Sequence, residues 1–198
     1  MRIISGSYKG KKILKPIDTK TRPLKDLTKE SLFNVINHSN KFEINMDNAC
    51  ILDLFSGVGS FGLECLSRGV HEVTFVENYD GALKILKKNL ESLKIKNFRI
   101  LNKDIYAENT FSELNNKFDL IFIDPPYKDK NIFKLFSNIK NSKILKDNGL
   151  IIIHRHKNEE DIFPDNLKII EKKKYGISKI IFLSFLIRFF FVSFLINS

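Results

Sequence analysis

The sequence predicts an α/β protein in which a mostly parallel, twisted sheet carries helices on both faces. From about residue 50 onward, short apolar runs alternate with segments of helical periodicity, the pattern of strands that are covered by helices on both sides. Glycine, acidic or proline residues follow three of these runs, at residues 53–62, 77 and 124–127. Because ligands bind beyond the carboxyl ends of the strands in such sheets, these positions are the candidate sites.

Five short runs rich in β-branched and aromatic residues predict the strands, at residues 50–55, 72–77, 98–102, 118–124 and 150–154. The fourth run stops before Pro125 and Pro126, because proline cannot donate a hydrogen bond to a ladder. Helical spacing predicts the segments between the strands, at residues 59–68, 80–94, 106–115 and 132–139, of which the third is poorly formed. Asp80 is the expected N-cap of the second helix, whose inward face carries Leu83, Leu86, Leu90 and Leu93.

The carboxyl end departs from this alternation. Residues 167–174 and 177–185 are expected to pair across Tyr175 and Gly176 as an antiparallel hairpin, which closes the α/β domain at residues 46–185. An apolar tail follows at residues 186–198, and the sequence assigns it no role. A membrane anchor is the less favoured interpretation, because a span needs about 20 apolar residues and tolerates a central charge such as Arg188 poorly.

Residues 1–45 form a small basic extension, expected to be a hairpin followed by a helix at residues 26–37 whose inward residues are Leu27, Leu32, Phe33 and Ile36. The whole chain has 33 Lys and Arg against 23 Asp and Glu, a net charge of +10. The first thirty residues alone contribute +6, from nine basic residues against Asp18, Asp26 and Glu30. Such a segment is often a solvated arm, but its charge also favours a polyanionic partner such as nucleic acid.

The two cysteines carry no sign of a metal site. Cys50 and Cys65 lie in apolar stretches without the spacing of metal ligands, which predicts reduced thiols in the core. The amino terminus lacks the apolar segment of a secretory signal. Both features favour a cytoplasmic protein.

The first candidate site is a glycine-rich turn, Asp53-Leu-Phe-Ser-Gly57-Val-Gly59-Ser-Phe-Gly62, in which a ligand can approach the backbone closely. Its glycine spacing fits a dinucleotide, and Glu77, twenty residues past Gly57, could accept ribose hydroxyls. The carboxylate of Asp53, however, would oppose a pyrophosphate. S-adenosylmethionine has no phosphate, and its ammonium and sulfonium groups favour a nearby carboxylate. S-adenosylmethionine is therefore the preferred cofactor, with a dinucleotide as the alternative.

The second site, Asp124-Pro125-Pro126-Tyr127, suits the methylation of an amine on a nucleic-acid base. An exocyclic amine is a poor nucleophile because its lone pair is delocalised into the ring. A carboxylate and a proline-fixed carbonyl can accept both of its N–H bonds and turn the nitrogen towards a methyl donor. Tyr127 offers a ring on which the base can stack. A proline-rich loop that only ends a strand is the simpler interpretation of this tetrapeptide taken alone.

Five segments together resemble the bacterial small-subunit (16S) ribosomal RNA methyltransferase D family over residues 1 to about 185: RIISGSYKGKKI, TRPLKDLTKESLFN, DLFSGVGSFGLE, FVEN and DPPY. The first two segments, which lie in the basic extension, are the family-specific ones. The resemblance implies a class I methyltransferase fold of the Rossmann-like type that uses S-adenosylmethionine. It also implies methylation of the N2 amine of a guanine in 16S rRNA, on free RNA or on the assembling small subunit, by a monomer.

The resemblance also implies roles for individual residues. The cofactor would be held by Asp53, Phe55, Gly57, Gly59, Glu77, Asn78 and Asp104, with Asp104 accepting from the adenine amine. The guanine would be held by Asp124, Pro125, Pro126 and Tyr127. RNA would be contacted by Arg2, Lys9, Lys11, Lys12, Arg22, Lys25 and Lys29, with Glu30 and Asn34 nearer the entrance of the site.

Two alternatives to this function follow from the same residues. A methyltransferase acting on adenine N6 or cytosine N4 of DNA or RNA would use the same tetrapeptide, although DNA enzymes generally add a target-recognition region for which 198 residues leave little room. A non-catalytic RNA-binding relative is the second, and the intact glycines argue against it. His154, at the end of the fifth predicted strand, could line the cleft, but a surface or packing role is the favoured interpretation for it and for His156.

Overall fold

The computed structural model describes residues 1–16, 24–107 and 109–186. Its sheet contains β1 (Cys50–Leu54), β2 (Glu72–Glu77), β3 (Phe98–Asn102), β4 (Phe118–Ile123), β5 (Leu145–His156), β6 (Leu167–Tyr175) and β7 (Ser178–Phe185). The strand order is β3-β2-β1-β4-β5-β7-β6. The first five strands are parallel, whereas β7 is antiparallel to both β5 and β6. The predicted parallel sheet and its terminal hairpin are confirmed.

Four helices cover the sheet, namely α1 (Asp26–His38), α2 (Ser60–Ser67), α3 (Asp80–Ser92) and α4 (Ile132–Ser142). Apolar residues of α1, α2 and α3 belong to one buried cluster, whereas those of α4 belong to a second cluster on the other face. Consecutive strand residues alternate between the clusters, as Phe122 in the first and Ile121 in the second illustrate. Helices on both faces explain why the central strands carry apolar residues towards both sides of the sheet.

Stacked aromatic rings join α1 and α2 to the sheet. The ring of Phe61 stacks on Phe33 of α1 at 5.5 Å and on Phe122 of β4 at 3.9 Å between centroids. All three side chains are buried. Truncation of one such ring to alanine would cost about 3–5 kcal/mol of the free energy of unfolding.

The amino-terminal segment folds back on itself and packs on α2. Arg2 pairs with Lys12 in an antiparallel bridge, and Ile3 and Ile13 are buried in the same cluster as Phe61. The carboxylate of Glu64 accepts hydrogen bonds from the backbone amides of Ile4 and Ser5, at 2.8 and 2.9 Å. The bonds of Glu64 therefore fix the first residues of the chain to a helix of the α/β domain.

Two predicted features differ in the structure. The described part of residues 106–115 forms turns and not a helix. Asp104 binds donors that a helix would use in its own backbone bonds. Its carboxylate accepts from the Tyr106 amide, and its carbonyl accepts from the Ala107 amide and the Thr110 hydroxyl. Asp80 is the first residue of α3 and not its N-cap, a position that Tyr79 occupies without a capping hydrogen bond from its side chain.

Strand β5 also exceeds its prediction, since it runs from Leu145 to His156 with an irregularity opposite β4. Among the residues that the structure describes, no helix is both long and apolar enough to cross a membrane. Residues 187–198 of the apolar tail lie outside the described residues, as does Arg22.

Candidate active site

The three sequence sites meet at one edge of the sheet. The chain forms β1, β2 and β3 in turn and then returns to place β4 on the other side of β1. The carboxyl ends of β1, β2 and β4 are therefore adjacent, and this reversal of strand order is where open α/β sheets bind their ligands. Asp53 near the end of β1, Glu77 at the end of β2 and Asp124 just after β4 lie at this edge.

The glycine-rich turn after β1 depends on glycine for both conformation and space. Gly57 and Gly59 have φ values of 55° and 86°, in the left-handed region that favours glycine. A Cβ on Gly59 would lie 2.5 Å from Leu86 Cδ1 of α3, and one on Gly62 would lie 2.3 Å from the Phe75 ring. A Cβ on Gly57, in contrast, would meet no atom within 4 Å, so open space adjoins the backbone there.

Glu77 connects the loops that follow β1 and β2. Its Oε2 accepts from the Gly57 amide at 2.8 Å, and its Oε1 accepts from the amides of Asn78 and Tyr79 at 3.0 and 2.9 Å. An ionised carboxylate has about four acceptor positions, so one remains for a ligand hydroxyl. Glu77 thus holds the glycine turn in place and retains capacity for a ligand.

Asp53 is a buried carboxylate beside the same turn. Its Oδ2 accepts from the Gly62 amide at 3.0 Å, and the residue is 1% exposed. Burial raises its pKa well above the ordinary value, and the charges of Asp124 and Glu77 raise it further, although the Gly62 hydrogen bond acts in the opposite direction. A bound cation would stabilise the ionised form, whereas a pyrophosphate would meet this carboxylate and that of Glu77.

The loop after β3 approaches the loop after β4. Asp104 is exposed, and its Oδ1 accepts from the Tyr106 amide at 2.9 Å. The Tyr106 hydroxyl donates to Asp129 Oδ2 at 2.7 Å, and its ring lies against Phe55, 6.0 Å between centroids. Burial and the hydrogen bond to Asp129 raise the pKa of Tyr106. Tyr106 was missed by the sequence analysis because its partner lies 23 residues away.

Residues 124–129 form the loop that follows β4, here called the 124–129 loop. The Asp124 amide donates to the Leu54 carbonyl of β1 at 3.3 Å, which fixes the start of the loop beside the glycine turn. Asp124 Oδ1 lies 2.8 Å from His154 Nδ1. Neither Asp124 Oδ2 nor the Pro125 carbonyl accepts a hydrogen bond from the residues that the structure describes. The loop therefore offers two adjacent acceptors to a ligand.

His154, for which the sequence favoured a surface or packing role, contacts the 124–129 loop. It lies on β5, is 6% exposed, and contacts Asp124 on the neighbouring strand end. Burial lowers its pKa, but the negative charge of Asp124 and the hydrogen bond to it outweigh burial, so the net shift is upward. The Tyr127 ring meets His154 and His156 edge-on, at 6.3 and 5.4 Å between centroids. The position of His154 at the end of the predicted strand was the sequence feature that indicated a place near the site.

Lys29 corrects the predicted set of RNA contacts. Its side chain is fully buried, with Nζ 3.3 Å from Glu64 Oε2 and donating to the Arg2 carbonyl at 2.8 Å. Burial lowers its pKa, an effect that Glu64 partly offsets. Lys29 consequently pairs with a buried carboxylate and cannot meet phosphates, so its prediction as an RNA contact was wrong.

The other basic residues of the extension remain available. Arg2, Lys9, Lys11, Lys12 and Lys25 are exposed, and Glu30 and Asn34 lie exposed on α1. The segment leads towards the glycine turn, because Asn89 of α3 binds both the backbone of Leu14 and the Val58 carbonyl. Among the described residues, no group of three His, Cys, Asp or Glu side chains could hold a metal ion.

The fold and this site define the protein as a class I methyltransferase-type α/β protein. The family model described as "Conserved hypothetical protein 95" matches residues 1–184. The ribosomal RNA small subunit methyltransferase D of Buchnera aphidicola (host Acyrthosiphon pisum) is 34% identical over 86% of this chain and 86% of its own length. That of Haemophilus influenzae is 32% identical over 89% and 90%. The chain therefore belongs to the ribosomal RNA small subunit methyltransferase D family.

A solved structure agrees with this assignment. The protein yhhF of Escherichia coli superposes with a TM-score of 0.78 at 27% identity, covering 93% of this chain and 97% of its own.

Proposed function

We propose that this protein transfers a methyl group from S-adenosylmethionine to the N2 amine of a guanine in small-subunit ribosomal RNA. The observation that carries the proposal is the pair of acceptors on Asp124 and Pro125 that no described residue occupies, placed next to the glycine turn at the point where the strand order reverses. The ribosomal RNA substrate is supported by the names of the relatives from Buchnera and Haemophilus.

The residues around the turn fit S-adenosylmethionine. Asp53 is a buried carboxylate whose ionised form needs a cation nearby, and the ammonium and sulfonium groups supply one. Glu77 has an acceptor position left for a ribose hydroxyl, and Asp104 carries an exposed carboxylate for the adenine amine. Open space beside Gly57 leaves room for the ligand at the backbone. When bound, the cofactor supplies an electrophilic methyl group next to Asp124.

The 124–129 loop prepares the amine for attack. Asp124 Oδ2 and the Pro125 carbonyl each accept one N–H bond of the amine, which turns its lone pair towards the methyl carbon. Transfer of the methyl group would form the nitrogen–carbon bond and break the carbon–sulfur bond, whose electrons would stay on the sulfur. The extra proton on nitrogen then passes to the Asp124 carboxylate and on to solvent. His154 holds the other carboxylate oxygen throughout, so that Oδ2 keeps its direction.

The base must leave its stack before it reaches these acceptors. A guanine in structured RNA is exposed either by flipping or by an unpaired context, and Tyr127 provides an aromatic ring for it. The exposed basic residues of the amino-terminal extension would bind the surrounding phosphates without reading the sequence. We expect 16S rRNA or the assembling small subunit to be the partner, and the enzyme to act as a monomer.

The test is transfer of a labelled methyl group to small-subunit RNA and to particles that lack the modification, followed by nucleoside digestion and mass spectrometry. N2-methylguanosine is the expected product. Methyladenosine or methylcytidine would retain the reaction and overturn the choice of base. Asp124→Ala should abolish transfer while S-adenosylmethionine still binds, and loss of cofactor binding in that variant would refute its assigned role.

A further inference from the structure

A buried arginine holds the 124–129 loop from the side opposite to His154. Arg155 is the next residue of β5 and is 2% exposed. Its Nη1 donates to the Pro126 carbonyl at 3.1 Å and its Nη2 to the Asp129 carbonyl at 2.9 Å. Consecutive strand residues point to opposite faces, so β5 contacts the loop twice, through His154 and through Arg155.

The guanidinium is itself fixed by a buried ion cluster. Arg155 Nε donates to Asp161 Oδ1 at 2.7 Å, and Asp161 Oδ2 lies 3.1 Å from Lys179 Nζ. Lys179 is the residue of β7 that pairs with Arg155 in the sheet, and its ammonium also donates to the Glu159 carbonyl. The side chains of Arg155, Asp161 and Lys179 are all at most 4% exposed. Buried charges are costly, so this arrangement needs a function that an apolar core would not provide.

The chemistry of proline makes the carbonyl contacts important. Pro125 and Pro126 have no backbone N–H, so this part of the loop can be held only through its carbonyls and its side chains. The Pro126 carbonyl accepts from both the Asp129 amide, at 2.9 Å, and Arg155. The preceding carbonyl, that of Pro125, accepts no hydrogen bond from the described residues.

We propose that Arg155 is a positioning residue that fixes the 124–129 loop so that the Pro125 carbonyl and the Asp124 carboxylate meet the target amine together. Arg155 does not touch the amine. It sets the direction of the acceptor carbonyl through the next peptide unit, while Asp161 fixes the guanidinium through Nε and Lys179 contacts only the other Asp161 oxygen and the Glu159 carbonyl. This inference rests on the proposed function only for the identity of the amine that the loop binds. The contacts of Arg155 with the Pro126 and Asp129 carbonyls do not depend on that function.

The test compares Arg155→Lys with Lys179→Met. Lysine keeps the positive charge beside Asp161 but cannot donate to two carbonyls and a carboxylate in one plane. Lys179→Met disturbs the same buried cluster without touching the loop, which makes it a matched control. We expect Arg155→Lys to lower kcat by about 100-fold, with KM and the affinity for S-adenosylmethionine within about twofold of wild type. Lys179→Met should keep kcat within about threefold while lowering the melting temperature.

Hydrogen exchange provides a readout that does not need activity. In Arg155→Lys the amides of Asp129 and Asn131, which donate to the Pro126 carbonyl and to Asp129 Oδ1, should exchange faster than in wild type. In Lys179→Met they should exchange at the wild-type rate. If wild type transfers no methyl group, the proposed function fails, and exchange at these two amides still decides the role of Arg155.

Two results would overturn the inference. One is an unchanged kcat in Arg155→Lys together with unchanged exchange in the loop. The other is an equal loss of kcat in both variants, which would indicate general destabilisation. Should Arg155→Lys melt below the assay temperature, Arg155→Gln, which can bind one of the two carbonyls, takes its place with the same expectations.

Discussion

At the scale of single residues, the site is built from buried carboxylates that bind backbone amides and retain capacity for a ligand. Glu77 binds three amides, and Asp53 binds one while fully enclosed. These carboxylates hold the turn in place before any ligand binds. Their burial makes the free protein less stable, and binding of a cationic ligand offsets this loss of stability. Asp53 shows this most clearly, because its pKa is raised by burial and by its acidic neighbours.

Replacement of Asp53 by asparagine should therefore stabilise the free protein and weaken the cofactor complex. Asparagine keeps an acceptor for the Gly62 amide and removes the buried charge, so the free energy of unfolding near neutral pH should rise by about 1–2 kcal/mol. The affinity for S-adenosylmethionine should fall by about tenfold or more, because the cation loses its partner. Thermal melting with and without the cofactor measures both effects. A variant that is less stable and binds equally well would contradict the assigned role of Asp53.

His154 should stabilise the protein more at low pH than at high pH. A buried histidine without an acidic partner would have the opposite effect. Its folded pKa is raised above the unfolded value of 6.5, so its charged form adds stability that is fully present below that value. This contribution is lost as the pH rises through the folded pKa. The difference in free energy of unfolding between wild type and His154→Gln should then be larger at about pH 6 than at about pH 9. A difference that is constant, or that grows with pH, would contradict the ion pair with Asp124.

At the scale of elements, the local pattern predicted most strands and helices but not every face. In α1, Leu32, Phe33 and Ile36 are buried as predicted, whereas Leu27 is 75% exposed. With about 3.6 residues per turn, position 29 falls on the same side as position 36, and position 27 falls opposite. The spacing could have shown this, but a lysine was taken as an exposed charge because its partner, Glu64, is on another element.

Partners on other elements also explain what the sequence could not reveal about β5. The apolar run predicted a strand ending at residue 154, whereas the strand reaches His156 and includes Arg155. From the sequence alone, Arg155 would be expected to be an exposed charge. In the structure it pairs with Asp161 of a later loop, and Lys179 of β7 lies opposite it in the sheet. The common location of Asp53, Gly57, Glu77 and Asp124 at one edge of the sheet was predictable, because each lies at or near the end of a strand and the strand order brings these ends together.

Two variants in the region of α1 distinguish the stabilising effect of the buried Lys29–Glu64 pair from the effect of an exposed charge on RNA binding. Lys29→Ala leaves Glu64 with one cation fewer, so the free energy of unfolding should fall by about 3 kcal/mol while the salt dependence of RNA binding is retained. Lys25→Ala, at the exposed N-cap of α1, should leave stability unchanged and reduce the salt slope by about 1. Melting curves and binding titrations at several salt concentrations distinguish the two. The prediction fails if Lys29→Ala melts like wild type.

At the scale of the whole molecule, two of the contacts between the amino-terminal extension and the α/β domain define the path of the extension. Glu64 fixes the first residues to the carboxyl half of α2, and Asn89 fixes Leu14 beside the glycine turn. Because α2 starts at the glycine turn and runs away from it, the chain passes from the far end of this helix towards the site. The exposed charges of the extension thus belong to the same rigid frame as Asp124.

This arrangement predicts that RNA binding depends steeply on salt while cofactor binding does not. Five exposed basic residues of the extension, Arg2, Lys9, Lys11, Lys12 and Lys25, could each neutralise one phosphate. With a slope of about −0.7 to −0.9 per phosphate, the RNA affinity should fall by about 100- to 500-fold between about 50 and 200 mM salt. Changing Lys9, Lys11 and Lys12 together to alanine should reduce the slope by about 2 to 3, since three phosphate contacts are lost.

The measurement is a series of RNA titrations in this salt range, with parallel titrations of S-adenosylmethionine as the internal control. Cofactor affinity should change little in wild type and in the triple variant, because the ligand contacts buried groups that salt screens weakly. Three exposed lysines of α3, Lys84, Lys87 and Lys88, provide a control substitution of equal charge outside the extension. An equal loss of slope in both triple variants would show that net charge alone attracts the RNA, and that the extension has no special part in docking it.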